Sequence, residues 1–154
     1  MENENDPFAQ AYLRDHPVRQ VAVLLLINRE YQVFLVRTKG LPNHWQPLGG
    51  GIDAEDASPE DAVLREVWEE ARLDLSREDL VHLCDVPYDF GDGVIYSFAA
   101  RLGDAAPIII DHAEIEEARW FALREAALLQ MFPATSRILQ ATALLLASWT
   151  RSET

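Results

Sequence analysis

The amino-acid sequence predicts a single α/β domain in which helices pack on a mixed β-sheet, and three features predict it. The run Val21–Ile27 is branched and apolar almost without interruption, as in a strand buried on both faces. Ser58-Pro59-Glu60-Asp61 is a strong helix start: the hydroxyl is the N-cap, proline sits in the first turn, and an acid follows three residues after the cap. Further strand-like and helical stretches mix through to the C-terminus.

Taken in order, residues 1–17 read as a polar N-terminal extension with a short helix over Phe8–Arg14, which Pro17 stops, and residues 18–154 as one domain. Val18–Asn28 is the first strand, Asn28–Tyr31 a turn, and Gln32–Arg37 the second strand of a hairpin. From Thr38 to Asp56 the chain is rich in Gly and Pro and reads as a loop, with Gly49, Gly50 and Gly51 allowing a tight backbone close to a ligand. The helix that starts at Ser58 runs to about Arg72, with Leu64, Val67, Trp68 and Ala71 pinning it to the sheet. Ser76–Asp79 is a brief capped turn. Leu80–Val86 and Val94–Leu102 are strands joined through Pro87–Gly93. After a short apolar piece, Ile108–Ile110, a last strand is expected over Glu117–Phe121. Leu123–Leu129 and Pro133–Trp149 read as helices, the latter with Ile138, Ala141, Leu145 and Trp149 on one stripe. That helix serves either core packing or a homodimer contact.

A chain of 154 residues can bury a core without disulfides or a structural metal. The one cysteine, Cys84, lies in an apolar stretch and reads as a packed core thiol in a reducing compartment. No basic-then-apolar signal opens the chain and its apolar runs are too short to span a bilayer, so a cytoplasmic location without membrane contact is expected. A net charge of −13 argues against nucleic-acid binding through a basic face, and no sequence-specific DNA binding is expected. A small phosphorylated substrate stays compatible, because a bound divalent cation inverts the sign of a pocket. Lys39 is the only lysine among thirteen basic residues.

Glu66, Glu69 and Glu70 stand at i, i+3 and i+4, which puts three carboxylates on one side of the helix. Most such clusters are solvated helix faces. The alternative is a hard cation among them, since Mg²⁺ prefers oxygen ligands. Arg65, four residues before Glu69, is placed to orient the carboxylates, and the glycine run can offer carbonyls to a metal and N–H groups to a phosphate.

The segment Gly51–Leu73 resembles the Nudix box, G-x5-E-x7-R-E-U-x-E-E-x-G-U with U apolar, and Arg65-Glu-Val-Trp-Glu-Glu70 matches in full at the correct distance from Gly51. Trp45, Glu114 and Trp120-Phe121 also sit where the family has similar residues. Two places depart from the pattern. Ala57 replaces the first box glutamate, with Asp56 or Glu55 beside it to take that role, and Arg72 replaces the glycine at the helix end, where a left-handed cap costs a non-glycine residue about 1 kcal/mol.

The resemblance implies an α/β/α sandwich and a metal-dependent pyrophosphohydrolase acting on a small-molecule nucleotide by water attack on phosphorus. It implies that Glu66, Glu69 and Glu70 bind Mg²⁺ or Mn²⁺ with a carbonyl of Gly50 or Gly51, and that Arg65 orients them. Glu66 and Glu114 are both candidates for general base. His44 and His112 flank the site as bystanders or substrate contacts. Arg37 and Lys39 are candidates to meet phosphates, and Trp45, Tyr88, Phe90 and Tyr96 to stack on a base, against ordinary roles at a solvated strand end and in the core. The short chain favours a nucleoside triphosphate, an oxidised one included, and leaves dinucleoside polyphosphates, ADP-ribose and RNA ends open. A nucleotide sensor that binds without cleaving is the alternative.

Overall fold

The computed structural model describes residues 20–41, 43–89, 92–103 and 107–153, together with Pro7 and Ala11, and the helix expected over Phe8–Arg14 lies almost wholly outside them. Among the described residues seven strands form one sheet: β1 (Gln20–Ile27), β2 (Val33–Thr38), β3 (Trp45–Gln46), β4 (Leu48–Gly51), β5 (Val81–Pro87), β6 (Val94–Arg101) and β7 (Ile115–Phe121). The order is β3-β2-β1-β6-β5, with β4 added to β1 and β7 to β2. β1 runs parallel to β6 and antiparallel to β2 and β4, so the sheet is mixed, as expected.

Helix α1 (Pro59–Ala71) covers one face of the sheet; a single turn α2 (Leu123–Ala126) and the long helix α3 (Pro133–Glu153) cover the other. Along β1, Ala22, Leu24 and Leu26 pack under α1, while Val23, Leu25 and Ile27 pack under α3. Because both faces are covered, the strand is apolar throughout rather than alternating. Among the described residues no helix is long and apolar enough to cross a membrane.

The structure differs from the sequence expectation at five points. The Gly/Pro-rich stretch holds β3 and β4, and the three glycines form a strand paired with β1 rather than a turn. Gly49 is at φ +136°, where a Cβ would stand 2.2 Å from the Ala22 carbonyl oxygen, so the ladder itself requires glycine there. β7 begins at Ile115 and shifts register beside Thr38. The segment after β7 is one helical turn, with Leu128 exposed. The buried stripe of α3 is Ile138-Thr142-Leu146, flanked by half-buried Ala141, Leu145 and Trp149; the Thr142 hydroxyl donates to the Ile138 carbonyl at 2.8 Å, which lets a polar residue sit in the core. On α1 the packed residues are Ala62, Val63, Val67 and Ala71, whereas Trp68 is 49% exposed.

Arg72 takes the left-handed conformation (φ 53°, ψ 35°) that the family gives to glycine, and its N–H donates to the Trp68 carbonyl at 3.0 Å. Its guanidinium lies over the Trp68 ring, 5.4 Å from the centroid. The helix therefore ends in the usual place despite the arginine. Arg72→Gly is expected to relieve about 1 kcal/mol of backbone strain and lose about 0.5 kcal/mol of cation–π attraction, raising Tm by about 1–2 °C in a thermal melt. A lowered Tm would mean that the stack on Trp68 outweighs the strain.

Candidate active site

The Ser58 hydroxyl accepts the Asp61 N–H at 3.1 Å and fixes where α1 begins, which sets the direction in which Arg65, Glu66, Glu69 and Glu70 project. α1 packs over β4, and the glycines make the approach close. The Gly49 N–H donates to Glu70 Oε1 at 2.7 Å. At Gly50 a Cβ would stand 2.7 Å from Glu66 Oε1, so the missing side chain is the space the Glu66 carboxylate occupies.

Arg65 is the hub. Its Nε and Nη2 donate to the two Asp56 oxygens at 3.1 and 2.9 Å, Nη2 reaches the Gly51 carbonyl at 3.2 Å, and Nη1 reaches Glu66 at 3.2 Å and Glu69 at 3.3 Å. Of the two acids beside Ala57, Asp56 is the one that meets Arg65, with its side chain only 8% exposed, while Glu55 is exposed. The hydrogen bonds from Arg65 hold the Asp56 carboxyl below the usual carboxylate range and raise the guanidinium above its own. Asp56→Ala is expected to keep the fold and lower turnover about tenfold, the usual cost of removing a group that orients ligands, and adding Ala57→Glu is expected to recover most of it. Turnover assays on the two variants check this; a silent Asp56→Ala would remove Asp56 from the site.

The other wall comes from the segment before β7. Ile109 N–H and Asp111 N–H donate to the Ala71 and Glu70 carbonyls at 3.1 and 2.9 Å, occupying carbonyls that the end of α1 leaves open. This tether brings Glu114 up to the helix. The Glu114 carbonyl accepts the Lys39 N–H at 2.8 Å, so β2 holds it from the far side. A cavity of about 230 Å³ is lined by Glu66, Glu69, Glu70, Asp111 and Glu114, with Arg72 and Ile115. Asp111 escaped the sequence reading, and its only signal was sharing a short segment with Glu114.

Five carboxylates line this cavity against two guanidiniums, Arg72 in the lining and Arg65 beside Glu66 and Glu69, which leaves net negative charge. Burial pushes the Glu70 carboxyl up to about 8, reinforced by Glu66, Glu114 and Glu69 and opposed by the Gly49 N–H. Glu66 is raised too, first by burial and then by Glu69 and Glu114, against the pull of Arg65. The side chains do not converge on one point: Glu66 and Glu69 turn to Arg65, Glu70 turns to Gly49, and among the described residues no three acids enclose a metal position. The donor set nevertheless fits a hard cation, being all oxygen, crowded and in need of positive charge.

A second cavity of about 370 Å³ shares Glu66, Glu70 and Glu114 and extends past Lys39 and the glycines to Tyr88, Asp89 and Thr135. Arg37 and Trp45 do not line it. The Arg37 guanidinium donates to Glu117 at 2.9 and 3.1 Å and lies over the Trp45 ring, and Trp45 is buried edge-on to Phe121, so the expected substrate contacts at these two residues are replaced by an ion pair and a core contact. His44 is buried and stacked on Phe132, and His112 stands 3.3 Å from the Ile115 carbonyl through Nδ1. Tyr96 packs half-buried on the α1 side, and Phe90 lies outside the described residues. Cys84 is a half-buried thiol 3.4 Å from the Ser97 hydroxyl.

Comparison with known proteins agrees with the box and its setting. The family model for the NUDIX domain matches residues 16–142. The chain is 30% identical over 118 residues to Nudix hydrolase 19, chloroplastic, of Arabidopsis thaliana, a match covering 70% of this chain and only 25% of that protein. It is 32% identical over 128 residues to the RNA pyrophosphohydrolase of Cereibacter sphaeroides, covering 71% and 78% of the two chains. The crystal structure of a MutT NUDIX hydrolase from Burkholderia pseudomallei superposes with a TM-score of 0.66 at 26% identity, over 80% of this chain and 96% of that one. With the helix, the glycine strand and the Arg65 hub all accounted for by one pattern that spans most of the sequence, the protein belongs to the NUDIX domain family.

Proposed function

We propose that this protein is a divalent-metal-dependent pyrophosphohydrolase of a nucleotide. The single observation that carries the reading is the 230 Å³ cavity lined by five carboxylates, opening beside a cavity large enough for a nucleotide. Glu66, Glu69 and Glu70 would hold Mg²⁺ or Mn²⁺, with a carbonyl of Gly50 or Gly51 as a further donor. When bound, such an ion neutralises charge building on the pyrophosphate and polarises the bonds at phosphorus.

The chain's own residues do the positioning. Arg65 restrains Glu66 and Glu69, and the Gly49 N–H fixes Glu70, so the carboxylates need little reorganisation when the substrate arrives. Glu66 and Glu114 face the same cleft from opposite walls, and one of them takes the proton of the attacking water. Water adds to one phosphorus, the bridging P–O bond breaks, and the bridging oxygen leaves with the other phosphoryl group. Lys39, in the lining of the larger cavity, supplies positive charge for the phosphates.

A nucleoside triphosphate, an oxidised one included, is the proposed substrate class. The test is a panel of nucleoside triphosphates, diadenosine tetraphosphate, ADP-ribose and 5′-triphosphorylated RNA with Mg²⁺, reading phosphate and pyrophosphate release. Turnover of the triphosphates is expected. Binding without turnover across the panel would overturn the reading in favour of a sensor, against which the Asp56–Arg65 pair already argues.

A further inference from the structure

Part of the larger cavity, lined around the start of α3 and the β5–β6 connection, is not shared with the carboxylate cavity. Phe132 and Ile138 line it with apolar side chains, as do Val23 and Ile95 from the sheet, and Asp89 and Thr135 add a carboxyl and a hydroxyl. A planar heteroaromatic ring needs this combination: apolar surfaces for its faces and a fixed polar group for its edge.

Asp89 is held rather than free to swing. Its Oδ1 accepts the Ala134 N–H at 2.9 Å, which ties the β5–β6 connection to the first turn of α3. Among the described residues Oδ2 has no hydrogen-bond donor, and neither does the Thr135 hydroxyl, although Thr135 is only 5% exposed. A part-buried carboxylate with an open oxygen accepts N–H donors and repels a ring nitrogen that carries a lone pair. Burial raises the Asp89 carboxyl, as expected of a group that water solvates poorly.

Resting on the nucleotide reading above, we propose that this part of the cavity is a base-recognition subsite in which Asp89 selects guanine. The guanine edge offers N1–H and the exocyclic amino group side by side, which a carboxylate can accept together; Oδ1 keeps a second lone pair beside its bond to Ala134. Hypoxanthine offers only N1–H. Adenine turns a lone pair toward the carboxylate and is disfavoured. Asp89 is thus a specificity-determining residue, outside the lining of the carboxylate cavity.

The test is calorimetric binding of GMP, IMP and AMP to the wild-type protein and to Asp89→Asn. The asparagine can still accept the Ala134 N–H, and a thermal melt within a few degrees of wild type checks that it does. GMP is expected to bind at least tenfold tighter than AMP, with IMP between, and Asp89→Asn to abolish the order. Equal affinities in the wild type, or a guanine preference that survives in the variant, overturn the assignment. Monophosphates carry no pyrophosphate, so this result stands apart from hydrolysis: a guanine preference with no turnover of any panel substrate would overturn the hydrolase reading alone.

Discussion

Glu70→Gln is expected to lower turnover by about 10²-fold or more while making the protein more stable. The two effects have one cause. Glu70 is 8% exposed, and burial together with neighbouring carboxylates pushes its carboxyl up to about 8, so its charge is unfavourable in the folded chain without a cation. Glutamine has the same shape, and its amide oxygen can take the Gly49 N–H that Oε1 accepts at 2.7 Å, so packing and the β4 contact survive. What is lost is the negative charge offered to a cation, and losses of this size follow when a preorganised electrostatic group is removed. Rate measurements at saturating Mg²⁺ beside thermal melts separate the two consequences. A variant that keeps the wild-type rate would remove Glu70 from the site, and one that loses both rate and stability would make it a structural residue.

Much of the candidate site was legible because its residues are placed by spacing along one helix. Glu66, Glu69 and Glu70 share a side of the helix for the same geometric reason that places any i, i+3, i+4 set there, and Ser58 marks where that helix starts. The β-sheet was legible where strands were long and apolar, as in β1. β4 was not, because three glycines have no side-chain pattern; they form a strand only through pairing with β1, a contact remote in sequence. Choosing between Asp56 and Glu55 likewise needed three dimensions, since both are short steps from Ala57 and only one points at Arg65. Trp45 was left between two roles by the sequence, a base-stacking platform or a core aromatic, and the short strand β3 turns it into the core against Phe121. Asp89 gave no sequence signal, because its meaning comes from the first turn of α3, forty-five positions away.

Removing divalent metal with EDTA is expected to abolish turnover, with Mg²⁺ or Mn²⁺ restoring it, and to leave a protein whose stability falls as pH rises from about 5 to 8. The direction follows from Glu70. Its carboxyl titrates near 4.5 in the unfolded chain and near 8 in the folded one. Below 4.5 both states are protonated and nothing is lost; above it the unfolded chain ionises first, so the folded state binds the extra proton and loses ground until pH passes 8. The loss is of the order of a few kcal/mol, or roughly 10 °C in Tm. A cation among Glu66, Glu69 and Glu70 reverses the preference, because it favours the ionised carboxylates that the empty cleft disfavours. Mg²⁺ should therefore raise Tm little at pH 5 and most near pH 8, with proton release on binding. A metal-free Tm that stays flat from pH 5 to 8 would mean that Glu70 is solvated in solution. A Tm indifferent to Mg²⁺ at pH 8, with turnover unaffected by EDTA, would leave the repulsion among these acids without the cation that accounts for it.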